Sequence, residues 1–120
     1  MTDIKTIKAN ADDLSVAENS DKSVYVHKFV APFEFEGKTY SQLTFNFGKL
    51  TGRDALAIES ELQALGRPVV VPALSGEYLV RMAAKSCTEA IGTDIFDNMS
   101  IRDFQAIHSK ARNFLLTSES

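Results

Sequence analysis

The residues that could perform nucleophilic or acid–base chemistry are few, and the sequence does not group them. Cys87 is the single cysteine, and the two histidines are His27 and His108. A nucleophile needs a base within hydrogen-bond reach and a third group that orients the base. Cys87 and His108 fall on the apolar faces of predicted helices, where burial raises rather than lowers the pKa of a thiol. We therefore predict that the protein is not an enzyme and has no catalytic residues.

The sequence also predicts no metal site and no cofactor. His27 lies in a predicted strand with no cysteine or carboxylate at metal-ligand spacing, so the zinc signature is missing. No Gly-x-x-x-x-Gly-Lys-Ser/Thr phosphate loop occurs. A calcium loop needs alternating oxygen ligands and a glycine, whereas apolar residues interrupt the one acidic region. Helix capping and solubility explain the carboxylates of this acidic region better than calcium binding does. These carboxylates belong to Glu89, Asp94, Asp97 and Asp103.

Length and charge restrict the class of protein. The 120 residues suit a single domain. Thirteen basic and sixteen acidic residues give a formal net charge of -3, which does not supply the basic face that phosphate binding needs, so we expect no nucleic-acid partner. The apolar runs are too short to span a bilayer, and the first residues lack the apolar segment of a secretory signal. With one cysteine, these features favour the cytoplasm and no membrane contact.

Strand patterns predict an antiparallel hairpin over about 24–47. In residues 24–30 neither face is cleanly polar, so the buried face stays open, and Pro32 predicts an edge or a bend. Gly37 supplies the turn between the two strands. Such a unit is not stable alone and must pack on helices. Seven aromatic residues concentrate in this hairpin region. We expect some of them to lie in the core and the others to form either a partner surface or the second face of an ordinary aromatic sheet. The seven are Tyr25, Phe29, Phe33, Phe35, Tyr40, Phe45 and Phe47.

Capping signals and helical spacing predict three helices after the hairpin. Thr51 and Ser100 are good N-cap residues, and each precedes an aspartate, Asp54 or Asp103, at the capping-box position. Apolar residues recur at helical spacing in each segment, and Phe104 lies on the apolar face of the last one. The predicted fold is therefore α+β and mainly helical, with a small N-terminal antiparallel hairpin packed against about three α-helices, at about 51–65, 76–91 and 100–116.

The two ends of the chain differ in composition from this 23–117 domain. Residues 1–22 are mostly polar, and we interpret them as a flexible N-terminal arm, which either orders on a partner or has no role. Residues 118–120 form a short tail. Between the second and third predicted helices, residues 93–97 are compatible with a short helical turn.

An apolar connector joins the first two predicted helices, where loops are normally polar. It either folds back onto the core or presents an adhesive patch to a partner or to a second copy of the chain. We name its residues as candidates for partner binding: Val69, Val70, Val71 and Leu74.

Six short motifs follow one another in a recognisable order over roughly residues 28–116. They are Phe-x-Phe-x-Gly-Lys-x-Tyr at 33–40, Leu-Thr-Phe at 43–45, Leu-Thr-Gly-Arg-Asp at 50–54, Tyr-Leu-x-x-x-Ala-Ala at 78–84, Met-Ser-x-x-Asp-Phe at 99–104 and Arg-Asn-Phe-Leu at 112–115. Their order and spacing resemble the tail assembly chaperones of long-tailed bacteriophages and prophages, particularly the compact family of contractile, Mu-like and P2-like tails. The apolar valine connector departs from that pattern.

The resemblance implies a non-enzymatic role in viral tail assembly. Proteins of that family bind the tape measure protein, keep its apolar helical segments soluble, help to recruit the tail tube protein, and leave before the tail is finished. The implied location is the cytoplasm of the bacterial host, with a possible homo-oligomer. The alternative is a structural virion protein, such as a tail completion or head–tail connector component.

Overall fold

The computed structural model describes residues 23–117, so the predicted arm (1–22) and tail (118–120) lie outside the described part of the chain. A two-stranded antiparallel sheet is followed by helices, which confirms the predicted α+β class. The elements are β1 (Val24–Phe35), β2 (Lys38–Asn46), a 3-10 turn (Phe47–Lys49), α1 (Gly52–Ala64), a second 3-10 turn (Pro72–Leu74), α2 (Gly76–Ser86), α3 (Asp94–Asn98) and α4 (Ile101–Thr117). The short helical turn predicted at 93–97 corresponds to α3.

The hairpin has a tight turn and a large bulge. Glu36 and Gly37 both have positive φ, 50° and 81°, the pattern of a type I′ turn, in which glycine avoids Cβ strain. Between the pairs Lys28↔Gln42 and Phe33↔Tyr40, β1 advances five residues while β2 advances two, so three extra residues bulge out of β1. Pro32, which has no N–H to donate to the ladder, lies in this bulge. The irregularity predicted at Pro32 is therefore present as a bulge.

One face of β1 is buried, which answers the question that the sequence left open. His27 and Phe29 are buried, whereas Val26 and Val30 are exposed on the other side. All seven aromatic residues of the hairpin region belong to the core or pack against it, so the structure does not leave them as a separate partner surface.

Local hydrogen bonds define both ends of α1. The Asp54 N–H donates to Thr51 Oγ1, and the Thr51 N–H donates to Asp54 Oδ2 at 2.8 Å, which confirms the predicted capping box. At the other end Gly66 has φ 76°. The Arg67 N–H bonds to the Leu62 carbonyl at 2.8 Å and the Gly66 N–H to the Gln63 carbonyl at 2.9 Å. This double bond pattern is a Schellman motif, which explains why the helix stops there.

The second helix is shorter than predicted, because α2 ends at Ser86 and not near residue 91. Cys87 is extended (φ −71°, ψ 134°) and forms an antiparallel bridge with Phe45. The Thr88 N–H then donates to the Thr44 carbonyl at 2.8 Å. The edge of β2 thus supplies backbone partners that end the helix, although its apolar pattern continues. Cys87 is buried as expected, but as a strand-like residue rather than a helical one.

The core lies between the sheet and the helices, with Phe45 from β2 at its centre. The Phe45 ring lies against those of Phe47 and Phe96, with centroids 6.2 and 6.5 Å away. From α4, Ile107 and Ala111 are buried. Phe104, which lies on the predicted apolar face of this helix, is half-buried and packs against the core.

Candidate interaction surface and buried polar network

The structure places most of the predicted connector at the surface. Val70, Val71 and Leu74 are 89%, 47% and 75% exposed, and we call these three residues the connector surface. Val69 is different, since it is half-buried and packs against the core. Three of the four connector residues are therefore exposed, and the fourth, Val69, folds back onto the core.

Hydrogen bonds hold the backbone of the connector surface in place. Val71 is extended, and the Pro72–Leu74 turn begins with a proline whose missing N–H is not needed there. The Leu74 N–H donates to the Val71 carbonyl at 3.0 Å. From α4, Arg112 Nε donates to the Ala73 carbonyl at 3.1 Å. The exposed apolar side chains therefore stand on an ordered support rather than on a loose loop.

Two further leucines, one just before the connector in the chain and one on α4, are also exposed. Leu65, at the end of α1 before the connector, is 55% exposed, and Leu116 is 63% exposed. Leu116 lies one helical turn after Arg112, on the side of α4 that faces the connector. Exposed apolar patches mark interaction sites more often than isolated apolar side chains do.

A cleft of about 360 Å³ lies next to the connector, between α2, α3 and α4. Half-buried Val80 and Phe104 form its apolar part. Its rim is charged, with an ion pair of 2.8 Å between Arg67 Nη1 and Glu77 Oε2. A volume of this size accommodates a small group or a few side chains of a partner. The lining residues are Arg67, Gly76, Glu77, Val80, Arg81, Thr93, Asp97 and Phe104.

A buried chain of polar side chains joins β1 to the start of α4. Tyr25 Oη lies 2.8 Å from His27 Nδ1, and His27 Nε2 lies 2.8 Å from Asp103 Oδ1. The other carboxylate oxygen accepts a hydrogen bond from Ser100 Oγ at 2.7 Å, while the Asp103 N–H donates to Ser100 Oγ. The predicted N-cap is therefore confirmed. The partner of His27 was missed because Asp103 is 76 residues away in the chain.

The geometry of this network favours a structural role. Burial raises the pKa of Asp103, but the hydrogen bonds from Ser100 and His27 outweigh that effect and lower the pKa below its usual value. Both ring nitrogens of His27 already have protein partners, so neither is left to exchange a proton with a substrate. Tyr25, whose pKa is raised by burial and by Asp103, stays protonated at neutral pH.

The other two candidate groups have environments that suppress reactivity. Burial, with a hydrogen bond from Cys87 Sγ to Glu89 Oε1 at 3.3 Å, raises the pKa of Cys87 to about 12. The thiol is thus protonated at neutral pH, as the sequence predicted. His108 is half-buried and stacks on Phe104, with centroids 5.4 Å apart. Burial and the neighbouring Arg112 lower the pKa of His108, so its ring is neutral at pH 7.

The described part of the chain offers neither a metal site nor a membrane-spanning helix. Within residues 23–117, no three His, Cys, Asp or Glu side chains lie close enough together to bind a metal ion. In the same range no helix has the length and apolar character needed to cross a membrane. The chain matches no protein-family model, no curated protein and no solved structure.

Proposed function

We propose that this protein is a phage tail assembly chaperone, which binds the tape measure protein and keeps it soluble in the cytoplasm of the bacterial host. In this proposal it acts by binding rather than by catalysis, helps to recruit the tail tube protein, and is not part of the mature virion. The order of the sequence motifs supports the family. The observation that carries the proposal is the connector surface, since Val70, Val71 and Leu74 are exposed on an ordered backbone.

An ordered apolar surface suits a client that consists of amphipathic helices. Such a helix presents apolar side chains at positions i, i+3, i+4 and i+7, and an apolar surface with a polar rim receives them. The connector surface supplies the apolar part, and the Arg67–Glu77 ion pair on the rim of the neighbouring cleft supplies charged groups. Because Arg112 and the 3-10 turn already fix the backbone, binding costs less conformational entropy than ordering a free loop would.

The small size of the surface fits a binder that later releases its client. Burying a Val or Leu side chain contributes about 1.5–3 kcal/mol at most. Three such side chains give about 5–9 kcal/mol before the loss of translational and rotational freedom, which is itself several kcal/mol. Single contacts of this kind are weak and reversible, so several chaperone copies along one long client would be needed to keep it soluble.

Co-expression with the tape measure protein tests the proposal. The client is the product of the very long reading frame that the resemblance leads us to expect immediately downstream. Wild-type chaperone should move most of that product into the soluble fraction, and Leu74→Asp should reduce this effect. The matched control is Leu56→Asp, because Leu56 is a leucine of α1 that is 65% exposed and does not belong to the connector surface. It should behave like the wild type.

The possible results separate the site from the function. If both aspartate variants keep the client soluble, the connector surface is not the binding site. If the wild-type protein itself neither binds the client nor changes its solubility, the chaperone proposal is wrong. Mass spectrometry of purified virions gives an independent check. A stoichiometric amount of this protein in the particle would favour the structural virion protein instead.

A further inference from the structure

The cleft between α2, α3 and α4 adjoins both ends of the connector. Arg67, which precedes the connector, and Gly76 and Glu77, which follow it, all line the cleft. Since Leu74 and Gly76 are two residues apart, their Cα atoms are separated by at most about 7 Å. A partner that contacts Leu74 on the connector surface is therefore within reach of the cleft.

The apolar part of the cleft is only partly covered by the protein itself. Val80 and Phe104 pack against the core, yet both side chains are half-buried rather than buried. The Phe104 ring is held in place by stacking on His108, with centroids 5.4 Å apart. Gly76 adds no side chain that would narrow the cleft, whose volume is about 360 Å³. An apolar side chain of a partner would gain free energy by leaving water for this space.

The charges around the cleft are paired, with one exception. Arg67 Nη1 lies 2.8 Å from Glu77 Oε2. Arg81 Nη1 lies 3.3 Å from Glu61 Oε1. Asp97 also lines the cleft and is exposed, but in the described part of the chain no cation lies within ion-pair distance of its carboxylate. The unpaired charge of the cleft is therefore negative, and it favours a cationic group of a partner over an anionic one.

We propose that the cleft selects among amphipathic helices by receiving one apolar side chain against Val80 and Phe104 and a lysine or arginine at Asp97. The inference deepens the proposed function, and the identity of the client rests on that function. Side chains three or four residues apart on a helix have Cβ atoms about 5–6 Å apart. An apolar residue and a basic residue one turn away therefore reach the two parts of the cleft together. The connector surface supplies general apolar contact, and the cleft supplies specificity.

Model peptides test the charge preference without the client. Each probe is an alanine-based helical peptide of about 20 residues with leucines at i, i+3, i+4 and i+7. Two versions differ at a single position one turn from a central leucine, which carries lysine or glutamate. Fluorescence anisotropy with the full chain should give a Kd about two- to fivefold lower for the lysine peptide, the range expected for an exposed ion pair.

Two variants assign this preference to one carboxylate. Asp97→Asn should remove the difference between the lysine and glutamate peptides. The matched control is Asp94→Asn, which removes the same charge from the same short helix, although Asp94 does not line the cleft. The control should keep the preference, because a general attraction to the acidic protein would be weakened equally by either variant.

Filling the cleft tests the apolar contact separately. Gly76 is the first residue of α2 and does not have a positive φ. Among the described residues, a Cβ at this position would approach only His108 Nε2, at 3.7 Å. Because leucine also favours a helix more than glycine does, Gly76→Leu should keep or raise the melting temperature. It should weaken binding of both peptides at least about tenfold, the loss expected when one leucine side chain stays unburied.

Gly52→Leu is the matched control for the filled cleft. Gly52 is the first residue of α1, lies outside the cleft, and has open space where a Cβ would stand. This variant should bind both peptides like the wild type. Binding by Gly76→Leu that equals binding by Gly52→Leu would show that the apolar part of the cleft is not occupied, and the inference would be wrong.

The charge arm can overturn the inference by itself. Equal Kd values for the two peptides with the wild-type protein would remove the role of Asp97, and so would a preference that survives Asp97→Asn. This arm decides the matter even if Gly76→Leu does not fold, because Asp97 and Asp94 are both exposed and neither substitution removes a core contact.

The tape measure protein separates this inference from the proposed function. Peptides that follow the expected pattern, together with a client that neither binds nor changes its solubility, would refute the chaperone proposal and keep the cleft as a site for basic amphipathic helices. Wild-type protein and Gly76→Leu that keep the client equally soluble would refute the cleft as the site for the client and keep the chaperone.

Discussion

Replacing Asp103 should expose how strongly the buried network stabilises the fold. In the wild-type protein this carboxylate caps α4 through Ser100 and accepts from His27 Nε2 at 2.8 Å. Asp103 and His27 are 7% and 5% exposed, so water does not replace these contacts when the carboxylate is removed.

The magnitude for Asp103→Ala follows from the two groups that lose a partner. Losing the hydrogen bond from Ser100 Oγ costs about 1 kcal/mol. Leaving buried His27 Nε2 without its partner costs about 1–3 kcal/mol. We expect a total loss of about 2–4 kcal/mol, a large part of the roughly 5–15 kcal/mol that stabilises an ordinary domain.

Urea unfolding, followed by circular dichroism, measures this loss, and the chain supplies its own control. Asp54 holds the equivalent capping-box position in α1, but it is bonded within the box, to Thr51. Asp54→Ala should therefore shift the urea midpoint much less than Asp103→Ala. Equal shifts would mean that the hydrogen bond between His27 of β1 and Asp103 contributes nothing, and the structural role of the network would be refuted.

The same variant has a predictable dependence on pH. The pKa of folded Asp103 lies below its ordinary value of 3.8. Its ionised form is therefore favoured by folding, and this stabilisation is complete above the unfolded pKa and lost as the pH falls through the lower folded pKa. The difference in unfolding free energy between the wild type and Asp103→Ala should shrink as the pH falls below about 4. A constant difference would contradict the assigned charge.

Four smaller predictions follow from the other sites. Val70→Asp should change the unfolding free energy by less than about 0.5 kcal/mol, because Val70 is 89% exposed; a larger loss would place it in the core. Phe104→Ala should lower the free energy of unfolding, measured in urea, by about 1–3 kcal/mol, since its ring is only half-buried. A loss of about 5 kcal/mol would mean that the ring is fully buried and that the cleft beside it is closed to solvent. At pH 8 iodoacetamide should label folded Cys87 about a thousandfold more slowly than the unfolded chain, because its pKa rises from 9.0 to about 12; similar rates would refute its burial. As the pH falls below 6.5, the lowered pKa of His108 should reduce stability, and His108→Gln should lessen this decline in thermal unfolding scans.

The sequence was most informative where neighbouring residues decide the structure. Thr51 and Asp54 are three residues apart, so their capping box is visible in the sequence and appears in the structure. Gly37 at the hairpin turn and Gly66 at the end of α1 likewise act through their own backbone angles. Helical spacing also identified the general region of each helix. These features need only short-range contacts, which the order of residues specifies directly.

Features that depend on distant residues were decided by the tertiary structure. Cys87 continues an apolar helical pattern, yet it leaves the helix because the edge of β2 offers it backbone partners. His27 has no acidic neighbour in sequence, yet folding brings Asp103 to 2.8 Å. The exposure of Val70 and the partial burial of Phe104 depend on which elements pack over them. By itself the sequence determined the class of fold, the caps and the turns, because these arise from local hydrogen bonds and periodicity. The end of α2, the buried network and the exposed connector surface were settled only when packing joined segments far apart in the chain.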